Sequence, residues 1–356
     1  MSRIFGEDIV VDNEKKGCII LVIVMTKAID EITQKVINGM EVCREDISLI
    51  SGVDEYTELV YLFASANRIR SIFRDDIIDI CSIINARSGN CGEDCGFCAQ
   101  SAHHHAKIET YPLVSVERIL KIAECARDNG ANRFCIVTSG RKVKKGAELE
   151  TICNAIYRIK NEIGLSTCAT LGMLGRDEIL LLKESGLHRF HHNLETSRRF
   201  FPEICSTHTF DDKLSTIITA KEAGLSICCG GIFGMGETWD DRIDLAYTIK
   251  SLGVDSIPIN FLTPIDGTPL SRQPLLNPFE ALKIISIFRF VMPDKEIRVC
   301  GGRIHVIKGL QPLVLLAGAD GLLTGNYLTT LGRMPEEDLE MINDLGLRIK
   351  GQVVRE

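Results

Sequence analysis

A repeating unit runs through most of the chain and limits the folds it can adopt. Eight short apolar segments each end in a turn rich in cysteine, asparagine or glycine, and an amphipathic helical stretch follows each one. The segments are IDICSIIN, RFCIVTS, STCATLG, RFHHNLET, LSICCGGIFGMGE, SIPINFLTP, IRVCGG and GADGLLTG. Alternating strands and helices form parallel sheets, and eight units at intervals of roughly 20 to 45 residues favour an α/β fold of the (β/α)8 TIM-barrel type over an open doubly wound sheet.

The chain before this repeat shows a helical pattern instead. Between residues 26 and 75, apolar positions recur at helical spacing in DEITQKVINGMEV and DEYTELVYLFASANRIRSIF. An earlier apolar run, Cys18 to Met25, is too short to span a bilayer, and its leader is acidic rather than basic. This run predicts either a buried strand or an N-terminal extension, with Met25 as an alternative start of translation.

No low-complexity tract, proline-rich linker or sharp break in composition divides the 356 residues. We therefore expect a single structural domain with a large core. In it, residues 1–75 would form an N-terminal extension and helices packed on a barrel made by residues 76–356.

The charge balance and the cysteines narrow the choice of partners. The net charge is −7, and nucleic-acid or anionic-membrane binding would need a basic face, so we expect neither and favour a small-molecule partner. Fourteen cysteines in a chain with no recognisable export signal indicate the reducing cytoplasm. In that compartment, thiols usually serve metal or redox chemistry.

The unusual polar side chains lie at the ends of the predicted strands. Seven of them stand out: Cys135, Cys168, Asn193, Cys228, Asn260, Arg298 and Cys300. In (β/α)8 barrels the active site lies at the carboxyl ends of the strands, so residues far apart in sequence can converge there. A single cysteine in a strand is usually an inert small hydrophobe, but several at equivalent strand ends indicate a common role.

A cysteine triplet follows the first predicted strand. Cys91, Cys95 and Cys98 form the pattern C-x3-C-x2-C in a loop where three glycines allow tight folding around a bound object. Structural zinc usually takes four ligands, and this loop offers no fourth cysteine or histidine at the usual spacing. Three thiolates suit an iron–sulfur cluster that leaves one iron open.

The triplet, with Phe97 directly before its last cysteine, resembles the signature of the radical S-adenosylmethionine superfamily. The longer stretch NARSGNCGEDCGFCAQS resembles the biotin synthases in particular. So do HHNLETS, GGIFGMGET, PINFLTPIDGTPL and RVCGGR. The resemblance runs from about residue 45 to residue 347, which includes the whole predicted barrel.

The resemblance implies sulfur insertion into dethiobiotin to form biotin. In that family a [4Fe–4S] cluster cleaves S-adenosylmethionine to a 5′-deoxyadenosyl radical, which abstracts hydrogen from carbons that no side chain could activate. An auxiliary cluster supplies the sulfur, and a second cofactor molecule closes the ring. The resemblance further implies a flavodoxin-type or ferredoxin-type electron donor, iron–sulfur assembly machinery and a homodimer.

The resemblance also implies roles for single residues. The auxiliary [2Fe–2S] cluster of the family would be held by Cys135, Cys168, Cys228 and Arg298. Substrate contacts would come from His191, Asn193 and Asn260. Cofactor contacts would come from Phe97, Glu195, His208, Gly230, Gly234 and Glu237, with His208 standing where the family often has an arginine.

Two cysteines depart from the family pattern and raise the number of thiols near the auxiliary site. Cys300 lies two residues after Arg298 and should face the same lumen, whereas Cys228 and Cys229 can both face inward only if the strand ends there. One hypothesis is a four-iron auxiliary cluster with an extra sulfide, ligated by Cys300 and Cys229, with Arg298 outside the ligand set. The alternative is that Cys229 and Cys300 only pack.

Other residues and other functions are weighed against this interpretation. We expect no chemistry from Cys18, Cys43, Cys81, Cys125, Cys153 and Cys205, and an exposed loop for His103 to His105. A second radical enzyme class, such as the hydrogenase maturases or methylornithine synthases, would share the first triplet but not the auxiliary set. An iron–sulfur carrier or redox sensor would need exposed cluster cysteines and no cofactor pocket.

Overall fold

Parallel strands close into a barrel in the computed structural model, which describes residues 13–351 and, for residues 13–23, the backbone alone. The strands of the barrel are β1 Ile77–Arg87, β2 Arg133–Thr138, β3 Ser166–Thr170, β4 Arg189–His191, β5 Ser226–Cys228, β6 Gly231–Phe233, β7 Ser256–Phe261, β8 Glu296–Val299 and β9 Gly321–Leu323. Each pairs in parallel with its neighbours, and β9 pairs back onto β1. The predicted (β/α)8 barrel is confirmed.

The fifth strand of the barrel is broken into β5 and β6, both of which pair with β7. The break falls at Cys229 and Gly230. A Cβ atom on Gly230 would lie 1.9 Å from the carbonyl oxygen of Pro258, so only glycine fits this approach of two backbones. The eight predicted segments therefore correspond to the eight positions around the barrel, one of them occupied by two short strands.

Helices cover the outside of the barrel. They are α1 Asn13–Ile37, α2 Arg44–Ser51, α3 Tyr56–Arg74, α4 Val116–Asp128, α5 Ala147–Arg158, α6 Arg176–Glu184, α7 Phe201–Ile204, α8 Phe210–Glu222, α9 Trp239–Leu252, α10 Pro278–Val291, α11 Arg303–Ile307, α12 Leu313–Leu316 and α13 Pro335–Asp344. In α4, Ile119, Leu120 and Ala123 are buried at helical spacing, and Ser115 caps the first turn by accepting from the N–H of Arg118. Each such helix buries one apolar face against the strands.

The second and third helices cover α10, and the first packs against them. Every residue of α10 from Ala281 to Val291 is buried, because this helix lies between β8 and the helices α2, α3 and α12. Cys18 to Met25 lies within α1, so the strand alternative for this run is wrong. Among the described residues, no helix is both long and apolar enough to cross a membrane.

The lower end of the barrel, where the strands begin, is closed by charged side chains. A short strand, β10 Arg348–Ile349, pairs with the start of β1. The guanidinium of Arg298 contacts the carboxylates of Asp79 and Glu296, and the Lys350 ammonium donates to Asp79 Oδ2 over 3.0 Å. In the part of the chain that the structure describes, the lumen therefore opens toward the carboxyl ends of the strands.

Candidate functional site

A cavity of about 400 Å³ occupies the upper lumen of the barrel, a size that suits small-molecule ligands. The residues singled out from the sequence that line it are Phe97, Cys98, Cys135, Cys168, His191, Asn193, Glu195, Cys228, Asn260, Arg298 and Cys300. Those that lie outside its lining are Cys91, Cys95, His208, Cys229, Gly230, Gly234 and Glu237. Most strand-end residues thus converge on one space.

Apart from Cys98 of the triplet loop, five thiols line this cavity, where the sequence predicted four or five near the auxiliary site. They belong to Cys81, Cys135, Cys168, Cys228 and Cys300. All five are buried, and Cys81, Cys135, Cys168 and Cys300 pack together with Val137 and Leu323 in one small cluster. Cys81 was expected to do no chemistry, yet its side chain faces the other four.

Alternation along the strands explains why these thiols share a layer. Residues i and i+2 on a strand face the same side. Arg298 and Cys300 are two residues apart, so both face the lumen. The same spacing relates Arg133 to Cys135 on β2. A layer of charged groups therefore lies beneath the layer of thiols.

The charged layer acts on the acidity of the thiols. Burial raises the pKa of Cys81 to about 12 and that of Cys228 to about 11, while the nearby Arg298 guanidinium opposes both shifts. Cys168 accepts a hydrogen bond from Cys135, which lowers the pKa of Cys168, and nearby guanidinium groups favour its thiolate further. The guanidinium groups therefore favour the thiolate form against the effect of burial, which is the largest influence on the pKa of Cys81 and of Cys228.

Cys229 faces away from the other five thiols. Its side chain is fully buried in the apolar layer between the strands and the helices, and its N–H donates to the carbonyl oxygen of Ser256. Although β5 ends at Cys228, this bond still joins Cys229 to β7, so side-chain alternation continues and the Cys229 side chain faces outward. The structure does not bring Cys229 to the lumen.

Arg298 is held by the closed lower end of the barrel. Its Nη1 donates to the carbonyl oxygens of Asp79 and Leu322, over 3.3 and 3.1 Å, and its Nη2 contacts the Asp79 and Glu296 carboxylates. Glu296 also accepts from Arg189 over 2.9 Å. These carboxylates, against the effect of burial, raise the pKa of Arg298.

The triplet loop lies at the mouth of the barrel. Its backbone is closed by three hydrogen bonds, from Cys91 N to Gln100 O, from Cys98 N to Cys95 O and from Ala102 N to Cys91 O. The three cysteines are free and half-buried thiols. Burial raises the pKa of Cys98 to about 11, and the adjacent Cys91 thiol adds to the shift. Three soft donors in one closed loop suit an iron–sulfur cluster, which would hold them as thiolates.

A second group of side chains lies directly beside this loop. Cys205 Sγ is 3.8 Å from Cys95 Sγ, 3.2 Å from Asp94 Oδ1 and 3.2 Å from His208 Nδ1, and His208 Nδ1 is 2.6 Å from Glu93 Oε2. The hydrogen bond from Cys95 lowers the pKa of Cys205 to about 7. Cys95, Cys205 and His208 are close enough together to hold a metal ion.

Two of the three consecutive histidines brace the loop. His103 Nε2 lies 3.0 Å from the carbonyl oxygen of Gly92, and His104 Nε2 lies 3.0 Å from that of Cys95. His103 and His105 are exposed. Two of these side chains therefore hold the cysteine loop in shape from the solvent side.

The polar residues above the thiols form a chain of hydrogen bonds. Asn193 Oδ1 lies 2.8 Å from His191 Nε2 and accepts from the N–H of Gly230 over 3.1 Å. Asn193 Nδ2 donates to Glu195 over 3.3 Å. Burial lowers the pKa of His191 to about 4, so its ring is neutral and Nε2 carries the proton given to Asn193.

Asn260 bridges two strand ends on the opposite wall. Its Nδ2 donates to the carbonyl oxygen of Gly231 over 3.1 Å, and its Oδ1 accepts from the N–H of Gly301 over 3.0 Å. The side-chain amide is thus fixed in orientation where it lines the cavity. A fixed amide can both donate to and accept from a bound ligand.

Glu195 adopts a strained backbone conformation at the mouth of the cavity. Its φ is +71°, in the left-handed region that residues with a side chain seldom occupy. Burial raises the pKa of its carboxyl group, and Lys213 Nζ lies 3.8 Å from Oε1. Such strain at a cavity mouth is typical of a residue positioned for binding.

The glycine-rich run from Gly230 to Glu237 comprises β6 and the turn that follows it at the cavity wall. The buried Glu237 carboxylate accepts from the N–H groups of Gly234 and Met235, over 2.9 and 2.8 Å, and from Arg242 Nε over 2.9 Å. All of these contacts lie within the protein. Glu237 therefore fixes the shape of the turn, and Ile232 is the residue of the run that lines the cavity.

Polar atoms without a protein partner line the same cavity. Within residues 24–351, whose side chains are described, Thr138 Oγ1, Thr263 Oγ1 and His192 Nε2 are buried and lack a hydrogen-bond partner. Buried polar atoms usually have one. These atoms therefore indicate that a polar ligand completes the site.

Two family models match the chain. The model of the radical SAM superfamily matches residues 86–249, and that of the biotin and thiamin synthesis associated domain matches residues 258–348. The two matches together span the barrel from the end of β1 to β10. The triplet loop belongs to the first match, and Asn260 with Arg298 to the second.

Curated relatives extend the match to nearly the whole chain. A protein of Pelotomaculum thermopropionicum described as a biotin synthase is 47% identical over 320 residues, which cover 90% of this chain and 99% of the relative. Another protein so described, from Pelobacter propionicus, is 50% identical over 294 residues, covering 83% and 90% of the two chains. One from Geobacter metallireducens is 44% identical over 92% of this chain and 99% of its own.

Solved structures share the fold at low identity. Methylornithine synthase superimposes with a TM-score of 0.79 at 19% identity, over 89% of this chain and 97% of its own. A maturase of the [FeFe]-hydrogenase also gives 0.79, at 16% identity, over 92% of this chain and 76% of its own. These likenesses support the barrel and do not bear on the reaction.

Proposed function

This chain belongs to the biotin synthase family of the radical S-adenosylmethionine superfamily, and from that premise we propose which of its residues hold the cofactors and the substrate. The reaction is the insertion of sulfur into dethiobiotin. The residue assignment rests on the order of groups along one lumen. The cysteine loop lies at its mouth, polar side chains lie below the loop, and five thiols lie beneath those side chains.

Cys91, Cys95 and Cys98 hold the [4Fe–4S] cluster that works with S-adenosylmethionine. The closed backbone of the loop and its three free, half-buried thiols support this assignment. When bound, the cluster and S-adenosylmethionine supply the 5′-deoxyadenosyl radical that removes hydrogen from the substrate. His103 and His104 keep the loop carbonyls in place on the side away from the lumen.

Phe97 and Glu195 are the cofactor contacts at the mouth. Both line the cavity beside Cys98, and the Glu195 carboxylate can accept hydrogen bonds from the ribose hydroxyls. The turn from Gly230 to Glu237 supports the adenosyl group through its backbone, since Glu237 is fully engaged inside the turn. His208 acts from behind the cysteine loop, through Cys205, because its ring does not line the cavity.

His191, Asn193 and Asn260 are the dethiobiotin contacts. The two amides are fixed by hydrogen bonds to neighbouring backbone, so each offers its remaining capacity to the ureido ring of the substrate. The unpartnered hydroxyls of Thr138 and Thr263 add further polar contacts within the same cavity. The apolar lumen around them excludes water from carbon radicals.

The auxiliary sulfur-donating cluster is held by Cys135, Cys168 and Cys228, with Cys300 as a further ligand. Four lumen thiols would give an all-cysteine ligand set, which both [2Fe–2S] and [4Fe–4S] clusters accept, and we propose the four-iron type with an extra sulfide rather than the two-iron type of the family pattern. Cys229 faces away from the lumen, so we leave it out of this ligand set. Arg298 keeps the thiolates stable through its charge.

Further features rest on membership in the family. We propose a flavodoxin-type or ferredoxin-type reductant, iron–sulfur assembly machinery, a homodimer and a cytoplasmic location. We also propose that residues 1–75 form an extension and helices of the same structural domain as residues 76–356. The burial of α10 beneath α2 and α3 supports this last point.

An anaerobic assay tests the assignment of the first cluster. The reconstituted protein should convert dethiobiotin to biotin and release 5′-deoxyadenosine. A Cys91→Ala, Cys95→Ala, Cys98→Ala variant should release neither, while keeping the iron and acid-labile sulfide of the auxiliary site. A Cys153→Ala variant is the matched control, since Cys153 lies on the outer helix α5. Release of 5′-deoxyadenosine by the triple variant would contradict the assignment.

A further inference from the structure

We propose that Cys95, Cys205 and His208 form a zinc site when the chain lacks its first cluster, so that zinc and the cluster exclude each other at Cys95. This inference rests on the proposed function for one point, the role of Cys95 as a ligand of the first cluster. It gives Cys205 and His208, which lie beside the cysteine loop, a shared role in binding metal.

The separations between the donor atoms match a tetrahedral zinc site. With Zn–S bonds of about 2.3 Å and Zn–N bonds of about 2.0 Å, two sulfur ligands lie about 3.8 Å apart, and a sulfur and a nitrogen about 3.5 Å apart. Cys95 Sγ and Cys205 Sγ are 3.8 Å apart, and Cys205 Sγ lies 3.8 Å from His208 Nε2. The three residues offer donor atoms that all lie within 4.8 Å of one another. Zinc therefore fits with little movement of the side chains.

His208 is already oriented as a zinc ligand. Its Nδ1 lies 2.6 Å from Glu93 Oε2, and because a carboxylate only accepts, Nδ1 carries the proton and Nε2 keeps its lone pair for a metal. A carboxylate that accepts from the second ring nitrogen is a usual outer partner of a zinc-bound histidine. Glu93 is itself held by the Thr207 hydroxyl over 2.7 Å and by Arg141 Nη1 over 3.4 Å.

Hydrogen bonds on both sides of Cys205 hold its segment against the cysteine loop. The N–H of Gly96 donates to the carbonyl oxygen of Ile204 over 2.8 Å. The N–H of Ser206 donates to Asp94 Oδ1 over 2.9 Å. The distance between the two sulfur atoms is therefore fixed by the folded loop and does not depend on a bound metal.

The zinc site lies outside the lumen and close to the surface. None of its three ligands lines the cavity, whereas Phe97 and Cys98 of the same loop do. Ser206, between Cys205 and His208, is exposed, which gives a metal ion a short path from solvent. Two thiolates cancel the charge of Zn²⁺, and three protein ligands leave the fourth position to water.

The shared use of Cys95 makes the zinc site and the first cluster alternatives. Zinc binding releases the thiol protons of Cys95 and Cys205 and occupies the Cys95 sulfur. A cluster held by Cys91, Cys95 and Cys98 needs the same sulfur. Zinc that arrives before the cluster therefore withholds one of the three cluster ligands, whereas an assembled cluster leaves Cys205 and His208 without the second thiolate of the zinc site.

Cobalt titration of a protein that keeps this site but cannot hold the first cluster tests the proposal. The Cys91→Ala, Cys98→Ala variant retains Cys95, and anaerobic reconstitution fills the lumen thiols with the auxiliary cluster. In a difference spectrum, Co²⁺ should then show the charge-transfer absorption of two thiolates and should bind with release of protons. Zn²⁺ should displace it, because zinc binds such sites more tightly than cobalt.

Variants of the two new ligands and one control locate the metal. In the same background, Cys205→Ser and His208→Ala should each weaken zinc binding by more than about 100-fold, since loss of an outer partner alone costs about 10- to 100-fold. Cys153→Ser, on the outer helix α5, should leave the affinity unchanged. Unchanged affinity in Cys205→Ser would overturn the inference. If the ligand variants do not fold, X-ray absorption at the zinc edge of the background protein decides the matter, because zinc bound without imidazole nitrogen would overturn the inference equally.

The order of addition separates this inference from the function on which it rests. Zinc added to the metal-free, unmutated protein before iron and sulfide should prevent release of 5′-deoxyadenosine, and the same zinc added afterwards should not. Cys205→Ser should need at least about tenfold more zinc for the same loss. A block equally strong in Cys205→Ser would place the zinc elsewhere and contradict the zinc site. Absence of 5′-deoxyadenosine without any zinc would contradict the proposed function instead, and the cobalt titration would still decide on the zinc site.

Discussion

At the scale of single residues, one contact between two sulfur atoms links Cys205 to Cys95, a proposed ligand of the first cluster. Between free thiols, Cys95 is the donor. As an iron ligand Cys95 is a thiolate without a proton, so Cys205 becomes the donor of an S–H···S hydrogen bond. Hydrogen bonds to ligand sulfur help set the reduction potentials of iron–sulfur clusters.

Cys205→Ala should therefore make the first cluster harder to reduce, because the thiolate loses a donor that stabilises its added negative charge. Outer partners of metal ligands change activity or metal affinity by about 10- to 100-fold when removed. The measurement is a redox titration followed by electron paramagnetic resonance, with Cys153→Ala as control. Cys205→Ser should restore part of the shift, and equal potentials in all variants would argue against this role.

His191 predicts a dependence of stability on pH. Its pKa is 6.5 in the unfolded chain and about 4 in the folded protein, so the unfolded state binds more protons between these values. The contribution is complete above pH 6.5 and is lost as the pH falls toward 4. Between pH 7 and pH 5 the free energy of unfolding should fall by about 1 to 2 kcal/mol through this group.

Urea unfolding of the wild type and of His191→Asn at both pH values measures this contribution. Asparagine cannot titrate and keeps a polar group beside Asn193, so the difference between the two proteins isolates the imidazole. The fall in stability should be smaller in His191→Asn by that amount. An equal fall in both proteins would show that His191 already titrates normally in the folded state.

Strand alternation predicted some of these residues and missed others for identifiable reasons. The spacing between Cys300 and Arg298 correctly predicted that Cys300 faces the lumen. The direction of Cys229 could not be predicted from spacing, because it depends on whether side-chain alternation continues past the end of β5. Cys81 was taken for a packing residue because one cysteine in an apolar strand usually is. Cys205 stands three residues before His208, a spacing compatible with metal binding, but its closeness to Cys95 depends on the fold.

At the scale of elements, the break between β5 and β6 is the least tolerant point of the barrel wall. Gly230→Ala would place a Cβ atom 1.9 Å from the Pro258 carbonyl oxygen. We expect a loss of at least about 3 kcal/mol in the free energy of unfolding, or failure to fold. Gly309→Ala, at a position with nothing within 4 Å of the added Cβ, should change it by under about 1 kcal/mol.

Chemical denaturation of the two glycine variants distinguishes these expectations. Similar midpoints for Gly230→Ala and Gly309→Ala would mean that the strands can separate without cost at the break. The sequence indicated all eight positions of the barrel, since short apolar runs with turn residues are a strong local signal. It could not indicate that LSICCGGIFGMGE forms two strands, because the break results from contact with β7.

At the scale of the whole molecule, the charged lower end joins β1 to β8 across β9. Asp79→Asn would leave the buried Arg298 short of one carboxylate, and we expect a loss of about 3 to 5 kcal/mol in the free energy of unfolding. Lys350→Met removes the other partner of Asp79. The Lys350 side chain is 52% exposed, so this change should lower the free energy of unfolding by under about 1 kcal/mol.

Thermal and urea unfolding of both variants in reducing buffer tests this difference. Equal losses would mean that the Lys350 contact matters as much as the buried one. This closure was not predictable from sequence, because Asp79, Glu296 and Arg298 meet only when β1 and β8 lie on either side of β9. The division at residue 75 and the homodimer stay predictions.

The closed lower end also sets the sequence of binding events. In the proposed assignment dethiobiotin binds Asn193 and Asn260, which lie nearer the strands in sequence than Glu195, and both ligands enter from the carboxyl ends of the strands. Dethiobiotin must therefore enter before S-adenosylmethionine, and excess S-adenosylmethionine should act as a competitive inhibitor toward dethiobiotin. Spent cofactor at the mouth can leave and be replaced while the half-converted substrate stays bound beneath it. Both hydrogen abstractions can therefore occur before the substrate dissociates.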